Sequence, residues 1–535
     1  MNIPRILRTV KHIKFKQIFY QLINRFSTVK EYKRDIPKST NIQFVDFVYS
    51  HKSLIGNNNF AFLNLKKEFK EIDWNFGDYG KLWTYNLNYF DCLIQRDISQ
   101  NQGEELIRDF IEKYQGHKDA KEPYPISLRS INWIKFFVQR DIRNSKYDQF
   151  LYRDLRRLYN RVEKHLLGNH LLENGFALLF GAYYFKDESF YNKAKKILTE
   201  ELEEQVLKDG GHFELSPMYH CILLEKVLDC YQLTHLNKWK DDDLNGLLLL
   251  KSQIMLGWLH EITYQDGSYP LLNDSAYGIA KEPHQLFTYA NKIGVEAQQQ
   301  LLEDSGYRKW KIGDSEIFMD IGRIGPDYIP GHAHADTFNF VLKSLGKDIV
   351  IDPGVSTYEK NNQRDLERST KMHNTVTVNE VSSSEVWGGF RVGRRANVEI
   401  ISESSTTIKA KHDGFKHIHV QHTREFIKND DSFEIIDELN KVGEANIIFG
   451  NSCRIKVNNE KEYLLEDVKL TFEGEIINVQ INEIKIPNGY NRYLKTNKLI
   501  VKFNKKLKTK FTFNENIILN RQFSTRNECP SYQNL

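Results

Sequence analysis

Gly331-His332-Ala333-His334-Ala335-Asp336-Thr337-Phe338-Asn339-Phe340-Val341-Leu342 decides how this chain is read. In its second half Phe338, Phe340 and Leu342 fall on one side of an extended chain and Thr337, Asn339 and Val341 on the other, the period of two that marks a strand. In its first half the same rule applies to chemistry. An extended segment projects His332 and His334 together, whereas a helix would separate them by about 200°. Such a pair can divide labour between a metal and a substrate. Ile349-Val350-Ile351-Asp352-Pro353-Gly354, Tyr358 and His373-Asn374-Thr375-Val376 follow and add a carboxylate, a tyrosine and a third histidine.

Away from this stretch, the apolar period changes near residue 312. Upstream, Leu151, Leu155, Leu158, Val162 and Leu166 form one stripe of an amphipathic helix, and similar spacing predicts helices over about 103–114, 130–140, 170–184, 219–236, 244–260 and 283–302. Downstream, short alternating runs such as 375–378, 397–401 and 478–481 recur between polar turns and predict an antiparallel β-domain. The expected division is a helical domain over 1–312, with 1–80 as a candidate N-terminal extension, and a β-domain over 313–535. No fixed-length repeat or Pro/Gly/Ser linker intervenes, so the two parts are expected to pack directly, with a cleft between them as the natural ligand site.

Composition excludes several classes. The 535 residues are 27% charged with a formal net charge of +4, which gives no basis for wholesale nucleic-acid binding. Aromatic content of 13% suits sugar stacking and equally a large helical core. Cys92, Cys221, Cys230, Cys453 and Cys529 are scattered, without the spacing of a disulfide framework or zinc knuckle. The basic stretch 1–16 breaks its apolar residues with charge, so it lacks the h-region of a secretory signal, and no segment is apolar enough to span a membrane. The expectation is a cytoplasmic protein. The basic start is a candidate amphipathic helix on an anionic membrane, with a solvated helix face as the plainer reading.

Three clusters stand in the helical half. Leu167-Gly168-Asn169-His170 puts an Asn-His pair at a helix start, where free N–H groups favour an anion. Asp209-Gly210-Gly211-His212-Phe213-Glu214-Leu215-Ser216-Pro217-Met218-Tyr219 presents Tyr219 in a first helical turn. Tyr124-Pro125-Ile126-Ser127-Leu128-Arg129 through Trp133 sets an arginine and a tryptophan beside a loop. Each has an ordinary structural reading: Asn169 as an N-cap, Tyr219 as a half-buried helix residue, Arg129 as a surface ion-pair member.

Taken in order with the histidine segment, these motifs resemble the heparinase II/III-like polysaccharide lyases and related alginate lyases, over about residues 80 to 400. The resemblance implies an incomplete (α/α) toroid followed by an antiparallel β-sandwich, in agreement with the change of period. It implies that Asn169 and His170 engage the substrate carboxylate, that Tyr219 and His332 are catalytic, and that Tyr358 is a second active-site tyrosine. It also implies a mainly structural zinc held by His334, Asp352 and His373; two imidazoles and a carboxylate suit that ion. Asp336 competes as a carboxylate and reads more simply as a cap or supporting partner. Lower-ranked expectations put Arg129, Arg368, Arg364 or Arg391 on acidic sugar groups and Trp83, Tyr85, Asn86, Tyr89 and Trp133 in a sugar-stacking wall. Trp387-Gly388-Gly389-Phe390 is a candidate loop over the cleft.

The implied reaction is β-elimination on an acidic, uronate-containing polysaccharide or oligosaccharide. A base takes the C5 proton, α to a carboxylate, and the C4 oxygen leaves; Asn169 and His170 would spread the charge that develops. A free tyrosine has a pKa near 10, so which of Tyr219, His332 and Tyr358 is base or acid stays open at this point. Two competitors keep the fold: a hydrolase or processing factor for a capsule or exopolysaccharide, which would call for two carboxylates at the bond, and a non-catalytic glycan-binding protein.

Overall fold

The computed structural model describes residues 3–26, 32 and 35–513; Cys529 and the end of the predicted β region, 514–535, lie outside the described residues. Helices of two kinds build the first half. Gly168–Phe185 and Pro217–Leu236 are almost wholly buried, the latter with Glu225, Lys226 and Asp229 inside, and with Pro123–Gln139 they form an inner layer whose members touch one another. Ser145–Asn160, Glu188–Gln205 and Leu244–Ile262 each pair with an inner helix from outside. Ser145–Asn160 has the polar outer face that position requires: Leu151, Leu155 and Leu158 are buried. This is the incomplete (α/α) toroid. The predicted helix over 283–302 stops at Lys292, before Gly294 at φ 72°.

The second half begins slightly earlier than expected. Tyr307–Ile312 is already a strand and pairs antiparallel with Ser315–Asp320, then Phe340–Ser344 and Lys347–Val350 complete a four-stranded sheet. Facing it is a long antiparallel sheet dominated by Ser432–Ile448, Tyr493–Phe513 and Val468–Pro487.

The four-stranded sheet is covered on both sides. Phe340, Leu342, Ile317 and Met319 join the core against the long sheet. Val341, Phe318 and Tyr307 point the other way and join the core of the helical half. The strand itself starts only at Phe340: Phe338 turns at φ 69°, and Thr337 and Asn339, on the expected polar side, are buried in the segment before it, whereas Val341 is buried against the helical half. The two halves share an apolar seam, which holds fixed any site built across it.

Candidate active site between the two halves

The inner helices aim their N-termini at the seam. Tyr124 stands in the first turn of Pro123–Gln139, Asn169 and His170 in that of Gly168–Phe185, and Tyr219 in that of Pro217–Leu236. The helix dipoles at three such ends favour a bound anion. Gly168 sits at φ 58°, and a Cβ there would crowd Ile329 and Glu214. Ser216 caps its helix by accepting from Tyr219 N at 3.3 Å and donates to the Asp274 carbonyl at 2.8 Å.

From the β side, the histidine segment meets a residue that the sequence reading did not single out. His332 Nδ1 lies 2.8 Å from Asp274 Oδ2 and His334 Nε2 2.9 Å from Asp274 Oδ1, so the two imidazoles do converge, on opposite oxygens of one carboxylate. Arg364 grips the same carboxylate with both terminal nitrogens, Nη2 at 2.6 Å. Burial alone would raise the Asp274 pKa, but Arg364 and the two histidines hold it well below the usual carboxylate range. An ionised carboxylate only accepts, so both histidine nitrogens facing it carry the proton. In the neutral ring, Nε2 of His332 and Nδ1 of His334 are then the lone-pair atoms. Asp274 reaches this position because its loop docks on the Asp352-Pro353-Gly354 turn. Val355 N donates to the Ser275 carbonyl at 3.1 Å, and a Cβ at Gly354 would lie 2.2 Å from that oxygen.

Around His332 two tyrosines close up. The Tyr219 ring lies 4.1 Å from the imidazole and its hydroxyl 3.0 Å from that of Tyr358, whose own ring is 5.6 Å from His332. Burial first, then neighbouring tyrosines including Tyr490 and the Asp274 charge, pushes both tyrosine pKa values well above 10, although the hydrogen bond from Tyr358 lowers that of Tyr219. Glu214 lies between the walls: Asn169 Nδ2 donates to its Oε2 at 3.3 Å, and His332 Nε2 is 3.9 Å from the same atom. His170 Nδ1 is 3.2 Å from Glu163 Oε1. Burial would lower the His170 pKa, but the Glu163 charge and hydrogen bond outweigh it and leave the pKa raised.

The expected sugar wall is partly relocated. Arg129 is buried in an ion pair with Asp154 at 2.5 Å, and Trp133, one helical turn on, is packed against Phe90 and Phe150. Both lie on the core face of Pro123–Gln139, whereas Tyr124 from the same segment faces the seam, its ring 4.5 Å from His170. Trp83 is likewise core. Tyr85 and Tyr89 continue the row, with centroids 6.1 Å apart and Tyr89 5.9 Å from Tyr124, while Asn86 bonds the Leu82 carbonyl of its own helix. Arg368 is buried and donates to the carbonyls of Ala333 and Gly389, so it holds the histidine segment instead of facing sugar. Arg391 stacks on Trp387 at 4.8 Å. The hairpin formed by Val386–Trp387 and Arg391–Val392 does overhang the site: Phe390 is 5.9 Å from His332 and 5.3 Å from Tyr358.

Behind His334 is a group of metal-ligating type. Ligand atoms of Asp336, Asp352 and His373 lie within 4.8 Å of one another, all buried. The expected set named His334 in place of Asp336. His334 stacks 5.2 Å from His373 but commits Nε2 to Asp274. His373 Nδ1 bonds Asp352 Oδ2 at 2.7 Å. His334 Nδ1, His373 Nε2 and Asp336 Oδ2 have no hydrogen-bond partner among the described residues. Burial lowers the His334 pKa to about 4, so its ring is neutral and Nδ1 a lone-pair donor. Buried electron-pair donors without protons to receive are chemically suited to a cation.

A helical toroid sealed against an antiparallel sandwich, with Asn169, His170 and Tyr219 from helix starts facing His332 from a loop of the β half, defines a two-domain fold with a polar cleft at its seam. The chain belongs to the heparinase II/III-like family: the family's N-terminal model matches residues 45–293 and its C-terminal model residues 295–513. Among curated proteins it is 24% identical over 323 residues to a heparin-sulfate lyase of Bacteroides stercoris, covering 52% of this chain and 46% of that one. It is 25% identical over 241 residues to a heparin-sulfate lyase of Pedobacter heparinus, covering 39% and 36%. The chain thus spans about half the length of the curated relatives it matches, or less. The solved structure of a heparinase III shares the fold with a TM-score of 0.64 at 15% identity, covering 84% of this chain and 80% of that one.

Proposed function

We propose that this protein is a polysaccharide lyase that cleaves a uronate-containing polymer by β-elimination. The observation that carries the reading is the Tyr219–Tyr358–His332 cluster, oriented by Asp274 and facing Asn169 and His170 across the seam. His170, whose cationic form Glu163 favours, and Asn169 would neutralise the substrate carboxylate and stabilise the enolate-like charge that grows as C5 loses its proton. His332 Nε2, with its proton held on the Asp274 side, takes the C5 proton. The freed pair forms the C4–C5 double bond and expels O4. Tyr219, a phenol at neutral pH, gives its proton to that oxygen, and Tyr358 stands at 3.0 Å to restore it.

For the metal, we propose zinc held by Asp336, Asp352 and His373, with His334 Nδ1 as a further donor behind the catalytic His332. Its role is to fix the strand ends that carry the histidines. Metal analysis of protein purified without chelator should find one zinc per chain, and chelation should lower the melting temperature; absence of metal with unchanged melting refutes it.

Elimination and hydrolysis separate by mass. Heparin-type, alginate and bacterial capsular polymers are offered, and the products are read for an unsaturated uronate end and its ultraviolet absorbance. A product heavier by water refutes elimination, and no product from any acidic glycan beside active control enzymes refutes the lyase reading. Elimination is favoured because Asp274 is saturated by Arg364 and two histidines, so Glu214, 3.9 Å from His332 Nε2, does not have Asp274 as the free second carboxylate that hydrolysis calls for.

A further inference from the structure

Helices Ile3–Val10 and Phe15–Phe26 are built inside out. In the first, the polar side grips the body. Arg8 donates to Glu385 from Nε and Nη2, each at 2.8 Å, Arg5 adds a 3.2 Å bond to the same carboxylate, and Thr9 Oγ1 accepts from Trp387 Nε1 at 3.2 Å. The opposite stripe, Ile3, Leu7 and Val10, faces outward, with Leu7 65% exposed. In the second helix Gln17 is the buried residue, bonded to the Leu166 carbonyl at 3.1 Å; Asn24 meets His165 at 3.1 Å, and Lys14 pairs with Glu204. Phe15, Phe19, Leu22 and Phe26 recur on the outward side, Phe15 80% and Phe26 82% exposed. A helix lying on a globular body ordinarily buries its apolar stripe and exposes its charges. Reversal on two successive helices leaves an outward apolar stripe on each, of the kind that marks an interaction surface.

Charge selects the occupant. Residues 3–26 contain six lysines and arginines and no aspartate or glutamate. Three of the six are taken up by Glu385 and Glu204, whereas Lys11, Lys16 and Arg25 form no ion pair among the described residues. Lys16 also lines, with Lys164, Lys193 and Lys196, a cavity of about 330 Å³ beside the second helix. An apolar stripe rimmed by unpaired cations fits the interface of an anionic bilayer, where acyl chains receive Phe and Leu and headgroup phosphates receive Lys and Arg. A second copy seated on the same face would bring these cations against their own kind. We propose that the two helices dock this protein, lying in plane, on an anionic membrane. Both anchor points lead to the cleft: Glu385 adjoins the hairpin whose Phe390 leans on His332, and Leu166 precedes Asn169 and His170. Docking would therefore hold the cleft close to the bilayer.

Vesicle flotation of the full chain tests this, with phosphatidylcholine alone and with about one third phosphatidylglycerol added. The chain should float with the anionic vesicles, less so as salt rises, and not with phosphatidylcholine alone. Leu7→Glu with Phe19→Glu and Leu22→Glu should cut the bound fraction at least about tenfold while leaving near-ultraviolet circular dichroism unchanged, since these side chains are outside the core. Lys11→Glu with Lys16→Glu and Arg25→Glu should weaken binding and flatten its salt dependence. Failure to float with anionic vesicles, or undiminished floating of the apolar triple variant, overturns the proposal. So does a wild-type dimer in sedimentation that the apolar triple variant makes monomeric, which would assign the face to a second copy.

Discussion

Asp274→Asn probes the link between the halves most directly. The carboxylate accepts from His332, His334 and both terminal nitrogens of Arg364, and carboxylate and guanidinium are each fully buried. The amide keeps the volume but removes the charge and turns one acceptor into a donor that faces another donor. Breaking a buried ion pair from one side costs about 3–5 kcal/mol. The carbonyls of Gly331 and Gly389 still accept from Arg364, at 3.4 and 3.0 Å, so the lower end, about 3 kcal/mol, is expected. Adding Arg364→Met removes the stranded cation and should restore at least about 1 kcal/mol, giving a favourable coupling in the double-mutant cycle. Without the Asp274 acceptor the His332 proton is no longer held on Nδ1, and turnover should fall by about two to four orders of magnitude with KM little changed. Urea unfolding reads the first quantity and product formation by still-folded protein the second. Turnover of Asp274→Asn within about threefold of the parent would refute the orienting role.

Tyr219→Phe should lower kcat by about two orders of magnitude or more with little effect on KM, checked by steady-state rates on a soluble oligosaccharide. His170 has a raised pKa, so its cation is complete below the ordinary value near 6.5 and is lost as pH rises through the raised one. KM should therefore climb on the alkaline side, and His170→Gln should have a high KM lacking this climb; an identical profile in the variant removes His170 from carboxylate binding. The charge-linked stability from the Glu163 contact follows the same sign, present at low pH and lost upward. Trp133→Ala should cost about 3–5 kcal/mol of stability through its cavity, with KM unchanged in the folded fraction. A selective rise in KM would return Trp133 to the sugar wall.

Much of the architecture was legible locally. Spacing of Leu151, Leu155 and Leu158 reports a helix with one buried side, and the alternation ending at Leu342 reports a strand, though only from Phe340, since Phe338 turns at φ 69°. The same signal misleads where both sides are covered. Val341 occupies the polar side of the pattern and is buried because the helical half lies against that side of the sheet, while Asn339, just before the strand, is buried in bonds to Asp352 and Asn374. Arg129 illustrates the converse error: a guanidinium near a loop suggests a surface role, but Asp154 from the next helix supplies the partner that lets it be buried.

The order of motifs along the chain was enough to define the kinds of group in the cleft and the two elements that carry them. Tertiary contact chose their roles. Asp274, 58 residues from His332 along the chain, sets which histidine nitrogen bears the proton. Glu163 raises the His170 pKa, and Asp336 joins Asp352 and His373 behind the strand ends. Residue type and backbone period are properties of a short segment, whereas protonation state, hydrogen-bond partner and burial belong to the surfaces that meet when the helical half closes on the sheet.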